Sequence, residues 1–262
     1  MTAYDTYDHA LIKAEPTTLI WSEPLAGGGR AVVKMYRHRS LHDPLRRLAV
    51  PYRVAREFGL LARLREHAVS CPEPLWWSHG HSRVHGLHEI LATREIAGAA
   101  PLAWLLRAGA QPPDLAPLFL LARRMHECGI SHGAFYPANV LVETPALYSP
   151  TYHLIDLAHG CRFATDIVGT RPAMFDLLDM LRTIERMRPL EGCAQWIAGY
   201  GLGADATRRL LERLVQHRVE RPWRHLHRAE TDLRAAWNRV SRPAASRVPA
   251  AATQNQPGRR PG

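Results

Sequence analysis

Residues 132–143, "HGAFYPANVLVE", and residues 152–160, "YHLIDLAHG", decide how this chain is read. Each holds a short apolar run, "VLV" at 140–142 and "LI" at 154–155, and the turn-rich "TPALYSPT" at 144–151 separates them. That pattern predicts a pair of strands joined as a hairpin. Asn139 stands immediately before the first strand and Asp156 at the end of the second, so the hairpin can bring two side-chain oxygens to one point. Mg²⁺ takes hard oxygen ligands of this kind and completes its shell with water and phosphate oxygens. Taken singly, Asn139 reads equally well as a turn residue and Asp156 as a cap.

Upstream, the first third of the chain consists of short extended segments broken by turns: "HALIKA", "TTLIW" and "AVVKMY", with Gly27 to Gly29 in the second turn. This predicts an antiparallel meander. A helix from about Tyr52 to His67 follows, with Val54, Phe58, Leu61 and Leu64 at helical spacing, and then two further strands in "CPEPLWW" and "LHEILATREI". After Gly98 the segments "PLAWLLRAG", "DLAPLFLLARRMHECG", "MFDLLDMLRTIERM", "CAQWIAGYG" and "ATRRLLERLV" all read as helices with Gly or Pro between them. The expected class is α+β, a small antiparallel-sheet lobe with one helix (1–97) preceding a larger helical lobe (98–240) and a disordered basic tail (241–262).

Two residues of the first lobe fit the chemistry suggested by Asn139 and Asp156. Lys34 alternates onto the same strand face as Val32 and Tyr36. Only Lys13 and Lys34 are lysines among 34 basic residues. Most basic positions therefore take Arg, and a compact point charge for a phosphate is one reason to keep Lys. Glu57 shares the helix face of Val54, Leu61 and Leu64, and a carboxylate on a buried stripe is costly unless paired. Lys34 is one candidate partner; surface pairing with Arg53 or Arg56 is the other.

Composition excludes several classes. With 262 residues and 46% apolar content the chain is globular. No run reaches the roughly 18 apolar residues of a spanning helix, and the start lacks a secretory pattern, so a cytoplasmic location is expected. Cys71, Cys128, Cys161 and Cys193 are scattered singly, signalling reduced buried thiols rather than zinc or disulfides. From Gly203 onward there are 13 Arg and five acidic residues, so that region supplies +8 of the net +10. Attraction to an anionic membrane surface is one reading of it and a solvated Arg-rich face the other. Nucleic acid is disfavoured, because no zinc finger or Arg-aromatic motif accompanies the charge.

The order of Lys34 on a strand, Glu57 on the next helix, "HGAFYPAN", then "LIDL" resembles the protein-kinase-like fold. Within it, the chain is similar to the bacterial lipopolysaccharide kinases, the Kdo and heptose kinases with InaA-like relatives, over about Leu11 to Ile184. The resemblance implies an ATP- and Mg²⁺-dependent kinase acting on a sugar of a lipopolysaccharide-core glycolipid, peripheral at the inner face of the inner membrane. It implies that Lys34 contacts the α/β-phosphates, that Glu57 orients Lys34, that Asn139 and Asp156 hold the metal, and that Glu95 and Ile96 belong to the adenine-binding linker ending at Gly98.

Two departures qualify the resemblance. Ala134 stands where the family carries an aspartate that accepts the acceptor's proton; His132, Tyr136 and His159 are the neighbouring candidates to replace it. The turn "KAEPTT" has Pro16 and no glycine, where a phosphate-covering loop uses glycines for close backbone approach. A pseudokinase that keeps the fold without transfer is therefore the alternative expectation.

Overall fold

A computed structural model describes residues 10–38, 53–108, 114–143, 150–187 and 193–216. The expected tail at 241–262, and the basic sequence beyond residue 216, lie outside the described residues. The chain begins with strands β1 (Ala10–Ala14), β2 (Thr18–Pro24) and β3 (Arg30–His38), followed by helix α1 (Arg53–Glu66), β4 (Pro74–Ser82) and β5 (Gly86–Arg94). These five strands form one antiparallel sheet in the order β1-β2-β3-β5-β4. β3 is central, and Lys34 sits opposite Ile20 on one side and Leu91 on the other.

The turns follow local chemistry. Pro16 and Thr17 close the first hairpin tightly, with Glu15 and Thr18 exchanging backbone hydrogen bonds at 2.8 and 3.3 Å. The glycine run makes the second, in which Gly28 and Gly29 take φ of +86° and +77° that other residues resist. It is a hairpin turn and not a phosphate cradle.

Helix α1 buries Val54, Glu57, Leu60, Leu61 and Leu64, the single face its 3.6-residue period presents to the sheet. Its first turn is capped from elsewhere in the fold: the Glu89 carboxylate of β5 accepts the Val54 N–H at 3.0 Å. No acidic residue in the helix's own first turn does this work.

Beyond the linker come β6 (Ala100–Pro101), α2 (Leu102–Arg107), α3 (Ala116–Glu127), β7 (Ile130–Ser131), β8 (Val140–Glu143), β9 (Thr151–Leu154), β10 (Cys161–Arg162), α4 (Arg171–Glu185), α5 (Cys193–Tyr200) and α6 (Ala204–Gln216). The sequence predicts all of these helices, and β8 and β9 pair as the expected hairpin. The two-residue strands β6, β7 and β10 carry no periodic signal and are additions. Apolar stripes on α3 (Leu118, Phe119, Ala122, Met125) and α4 (Met174, Leu177, Leu178, Leu181) meet in one core that continues through Leu154 and Leu157 to Leu61 and Tyr36. Each such leucine, fully buried, contributes about 1.5 to 3 kcal/mol. All four cysteines are free, but only Cys71 and Cys161 are buried; Cys128 and Cys193 are half-buried because their helix ends lie near the surface.

The segment following β7 passes under the chain after β9 at one point. Gly133 has φ +72°, and a methyl group there would collide with the His159 carbonyl. Both the dihedral and the contact exclude other residues. Gly133→Ala is expected to destabilise the protein by more than about 3 kcal/mol in urea titration. A loss below about 1 kcal/mol would show that the two segments separate easily.

Candidate active site

The β8–β9 hairpin places Asn139 and Asp156 at the same end. The Ile155 N–H donates to the Asn139 carbonyl at 3.1 Å, extending the ladder by one step past Val140 and Leu154. Asp156 then takes a left-handed conformation, φ +59° and ψ +58°. Asp tolerates this region better than most residues, at a cost of order 1 kcal/mol. The turn carries its carboxylate to Lys34, whose Nζ lies 2.6 Å from Asp156 Oδ1 and 3.8 Å from Glu57 Oε1. The sheet, helix α1 and the hairpin thus converge on one ammonium group.

Of the two pairings open to Glu57, the structure has the inward one. Glu57 is 2% exposed and also accepts from the Tyr36 hydroxyl at 3.3 Å. Burial raises its pKa above the ordinary value and outweighs the opposing pull of Lys34. For Asp156, burial is again the largest single influence and works against ionisation, but Lys34 at 2.6 Å together with Arg53 and His132 holds the carboxyl below its ordinary value. Arg53, rather than pairing with Glu57 at the surface, lies over the Tyr36 ring at 4.2 Å and donates to His159 Nε2 at 3.2 Å. Arg56 donates to the Ala158 carbonyl at 2.6 Å, tying α1 to the segment after Asp156.

Asn139 is buried, and its Nδ2 donates to the Ala134 carbonyl at 3.0 Å. That bond spends the amide nitrogen and leaves Oδ1 as the group an oxygen-seeking cation would use. Asn139 and Asp156 therefore fit a magnesium ion in donor type and in position on the hairpin. In the linker, Glu95 is engaged by Ser22, whose hydroxyl donates to its carboxylate at 2.6 Å, and by Arg30 at 3.6 Å. The Ile96 carbonyl accepts from Ala99 in the turn that follows.

The three neighbours of Ala134 differ sharply. His132 has no exposed surface, and its Nε2 donates to the Ile155 carbonyl at 3.0 Å, so it shapes the loop and does not reach an acceptor. His159 has its Nε2 lone pair taken by Arg53, because a guanidinium can only donate. The half-buried Tyr136 is the remaining hydroxyl. Among the described residues its side chain has no hydrogen-bond partner.

The sequence reading missed the group that holds this loop. Asp176 of α4 is 2% exposed and accepts from the backbone N–H of His132 at 2.7 Å and of Gly133 at 2.9 Å, with His126 Nε2 at 3.1 Å. His126 Nδ1 in turn meets the Tyr200 hydroxyl at 2.7 Å. Asp176 lies on the buried stripe of α4 with Ala173 and Leu177, so the signal that found Glu57 was present here also.

The signature of the lipopolysaccharide kinase (Kdo/WaaP) family matches residues 21–200. The chain belongs to the lipopolysaccharide kinase (Kdo/WaaP) family. No curated protein matches the chain in sequence. Among solved structures it is similar to WaaP in complex with acyl carrier protein, at 18% identity and a TM-score of 0.51, over 89% of this chain and 88% of that one. A Rio2 kinase-ADP/Mg²⁺-phosphoaspartate complex from Chaetomium thermophilum gives 19% identity, a TM-score of 0.46, and coverage of 88% and 72%. Membership of the Kdo/WaaP family and the WaaP likeness establish a two-lobed, protein-kinase-like α+β fold. No helix among the described residues is long and apolar enough to cross a membrane.

Two outcomes test the electrostatics of this Kdo/WaaP-family site. Asp176→Asn leaves a buried amide facing two N–H donors and is expected to cost about 3 to 5 kcal/mol by chemical denaturation. Glu57→Gln removes a buried charge while Lys34 keeps Asp156. It is expected to leave the melting temperature unchanged or higher, and a markedly lower melting temperature would contradict that. The pH dependence follows from His132, whose pKa burial lowers from the ordinary 6.5. The folded protein resists protonating it and the unfolded chain does not. Its contribution is therefore complete above about pH 6.5 and lost as the pH falls below that value, readable as a declining urea midpoint between pH 6.5 and 5.

Proposed function

We propose that this chain is an ATP- and Mg²⁺-dependent phosphotransferase that moves a phosphoryl group to a sugar hydroxyl of a lipopolysaccharide-core glycolipid. The observation that carries the reading is the convergence of Lys34, Glu57 and Asp156 at the end of the hairpin bearing Asn139. Lys34 holds the nucleotide's phosphates and Glu57 keeps the ammonium in place. Asp156 and Asn139 supply oxygens to the metal, and Glu95 and Ile96 flank the base. Bound Mg²⁺ neutralises charge on the phosphate oxygens. Asp156 and Asn139 would hold the metal, and Glu57 would then remain as the anchor of Lys34.

The acceptor's proton meets no carboxylate at position 134. General-base help is worth about 10² to 10⁴-fold, or roughly 3 to 5 kcal/mol. Phosphoryl transfer has a loose transition state in which positioning and electrostatics supply most of the acceleration, so the expectation is a slow enzyme. Tyr136 orients the acceptor hydroxyl through its own. The Arg-rich region from Gly203, of which residues through 216 are described, attracts the protein to anionic headgroups. A second reading, a nucleotide-binding module without transfer, is favoured by Ala134, whose methyl group accepts no proton.

Phosphate incorporation from labelled ATP into purified core glycolipid separates the two. The enzyme reading expects slow incorporation, abolished in Lys34→Ala, reduced about tenfold in Tyr136→Phe, and raised at least about tenfold in Ala134→Asp. Intact Mg-ATP binding with no incorporation by either the wild type or Ala134→Asp would decide for the second reading.

A further inference from the structure

At the C-terminal end of α1, away from Lys34, lies a cavity of about 460 Å³. Its volume falls within the range of small-ligand pockets, roughly 300 to 1,000 Å³. Three arginines from three elements line it: Arg63 of α1, Arg124 of α3 and Arg162 of β10. Two carboxylates share the lining, but both are engaged elsewhere. Glu127 takes the Arg123 Nε–H at 2.7 Å, and Asp166 accepts the Val168 N–H at 2.6 Å.

The arginines themselves are poorly matched. Among the described residues Arg124 and Arg162 form no ion pair, and Arg63 has only a long one, 3.7 Å to Glu66. The Nε of Arg63 is enclosed and donates to nothing among the described residues.

The wall opposite α1 is firmly built. Gly129, with φ +70°, lets the chain press down where a Cβ would lie 2.7 Å from the Thr165 carbonyl and 2.9 Å from that of Phe163. The Phe163 N–H donates to the Gly129 carbonyl at 2.7 Å and that of Ile167 to His126 at 3.0 Å. The segment that presents Arg162 is thereby fastened to the end of α3.

We propose that this cavity is a second anion site, distinct from the cleft, that binds one or two phosphoryl groups of a small phosphate compound. Guanidinium groups match phosphate oxygens in fork geometry, and three from separate elements surround one ligand better than any one face would. The ligand would bridge α1 to α3 and β10. Occupancy would therefore steady the helix that carries Glu57.

Calorimetric titration of the full chain with pyrophosphate and with inorganic phosphate, at fixed ionic strength, tests this. The expected result is saturable binding, weakened at least tenfold in Arg124→Gln/Arg162→Gln and tightened severalfold in Glu127→Gln, which removes a wall carboxylate. Cosedimentation with phosphatidic acid vesicles that depends on the same arginines, without pyrophosphate binding, would assign the phosphate to a lipid headgroup. The proposal is overturned by absence of binding to all three probes, or by undiminished binding in the arginine pair. If that pair does not fold, Glu127→Gln decides, and unchanged affinity there overturns the site. None of these readouts requires phosphate transfer, so they stand or fall apart from the kinase reading.

Discussion

One ammonium group organises the cleft. Lys34 leaves the centre of the five-stranded sheet and meets Glu57 from α1 and Asp156 from the β8–β9 hairpin, so two lobes and three elements share a single charge. The arrangement is unequal by design of its surroundings. Glu57 is almost fully buried, Asp156 one-third exposed, and the shorter contact goes to the more exposed carboxylate. Burial raises the pKa of the first, whereas at the second burial is outweighed by Lys34, Arg53 and His132 together, which lower it. The two carboxylates that share Lys34 thus lie in different surroundings, and the lysine has an anion on either side of it.

The loop facing this cluster is held by a second buried charge. Asp176 binds two successive backbone N–H groups, at His132 and Gly133, and its remaining demand is met by His126 and through it Tyr200. Gly133 allows the loop to touch the chain at His159, and Asn139 spends its amide on the Ala134 carbonyl. Position 134 is therefore held by its backbone on both sides. The backbone of the loop is thus fixed by buried hydrogen bonds on either side of a residue whose side chain is a single methyl group.

Much of this was legible in the sequence, for physical reasons. Helix periodicity exposes α1, α3 and α4, and alternation exposes β3 and β5, because one buried face imposes a repeat. Glu57 is legible as an acid on an apolar stripe, but periodicity leaves its partner open between Lys34 and the neighbouring arginines, and only the three-dimensional contact decides for Lys34. Asp176 carries the same signature in "MFDLLDML", but the groups it holds in the loop are backbone N–H groups, which leave no mark on the sequence. Glu89 was hidden for a similar reason, since it caps Val54 across the fold. The strands β6, β7 and β10 are too short for any period, and the Arg63–Arg124–Arg162 cavity joins residues about 100 positions apart.

The central claim is that Lys34, Glu57 and Asp156 form a nucleotide-phosphate and metal site. Calorimetric titration of Mg-ATP into the wild type and into Asp156→Asn tests it most directly. Binding that requires Mg²⁺ in the wild type and falls at least tenfold in the variant, with the fold intact, is the predicted result. Equal Mg-ATP affinity in the two proteins, or no binding to either, would contradict it.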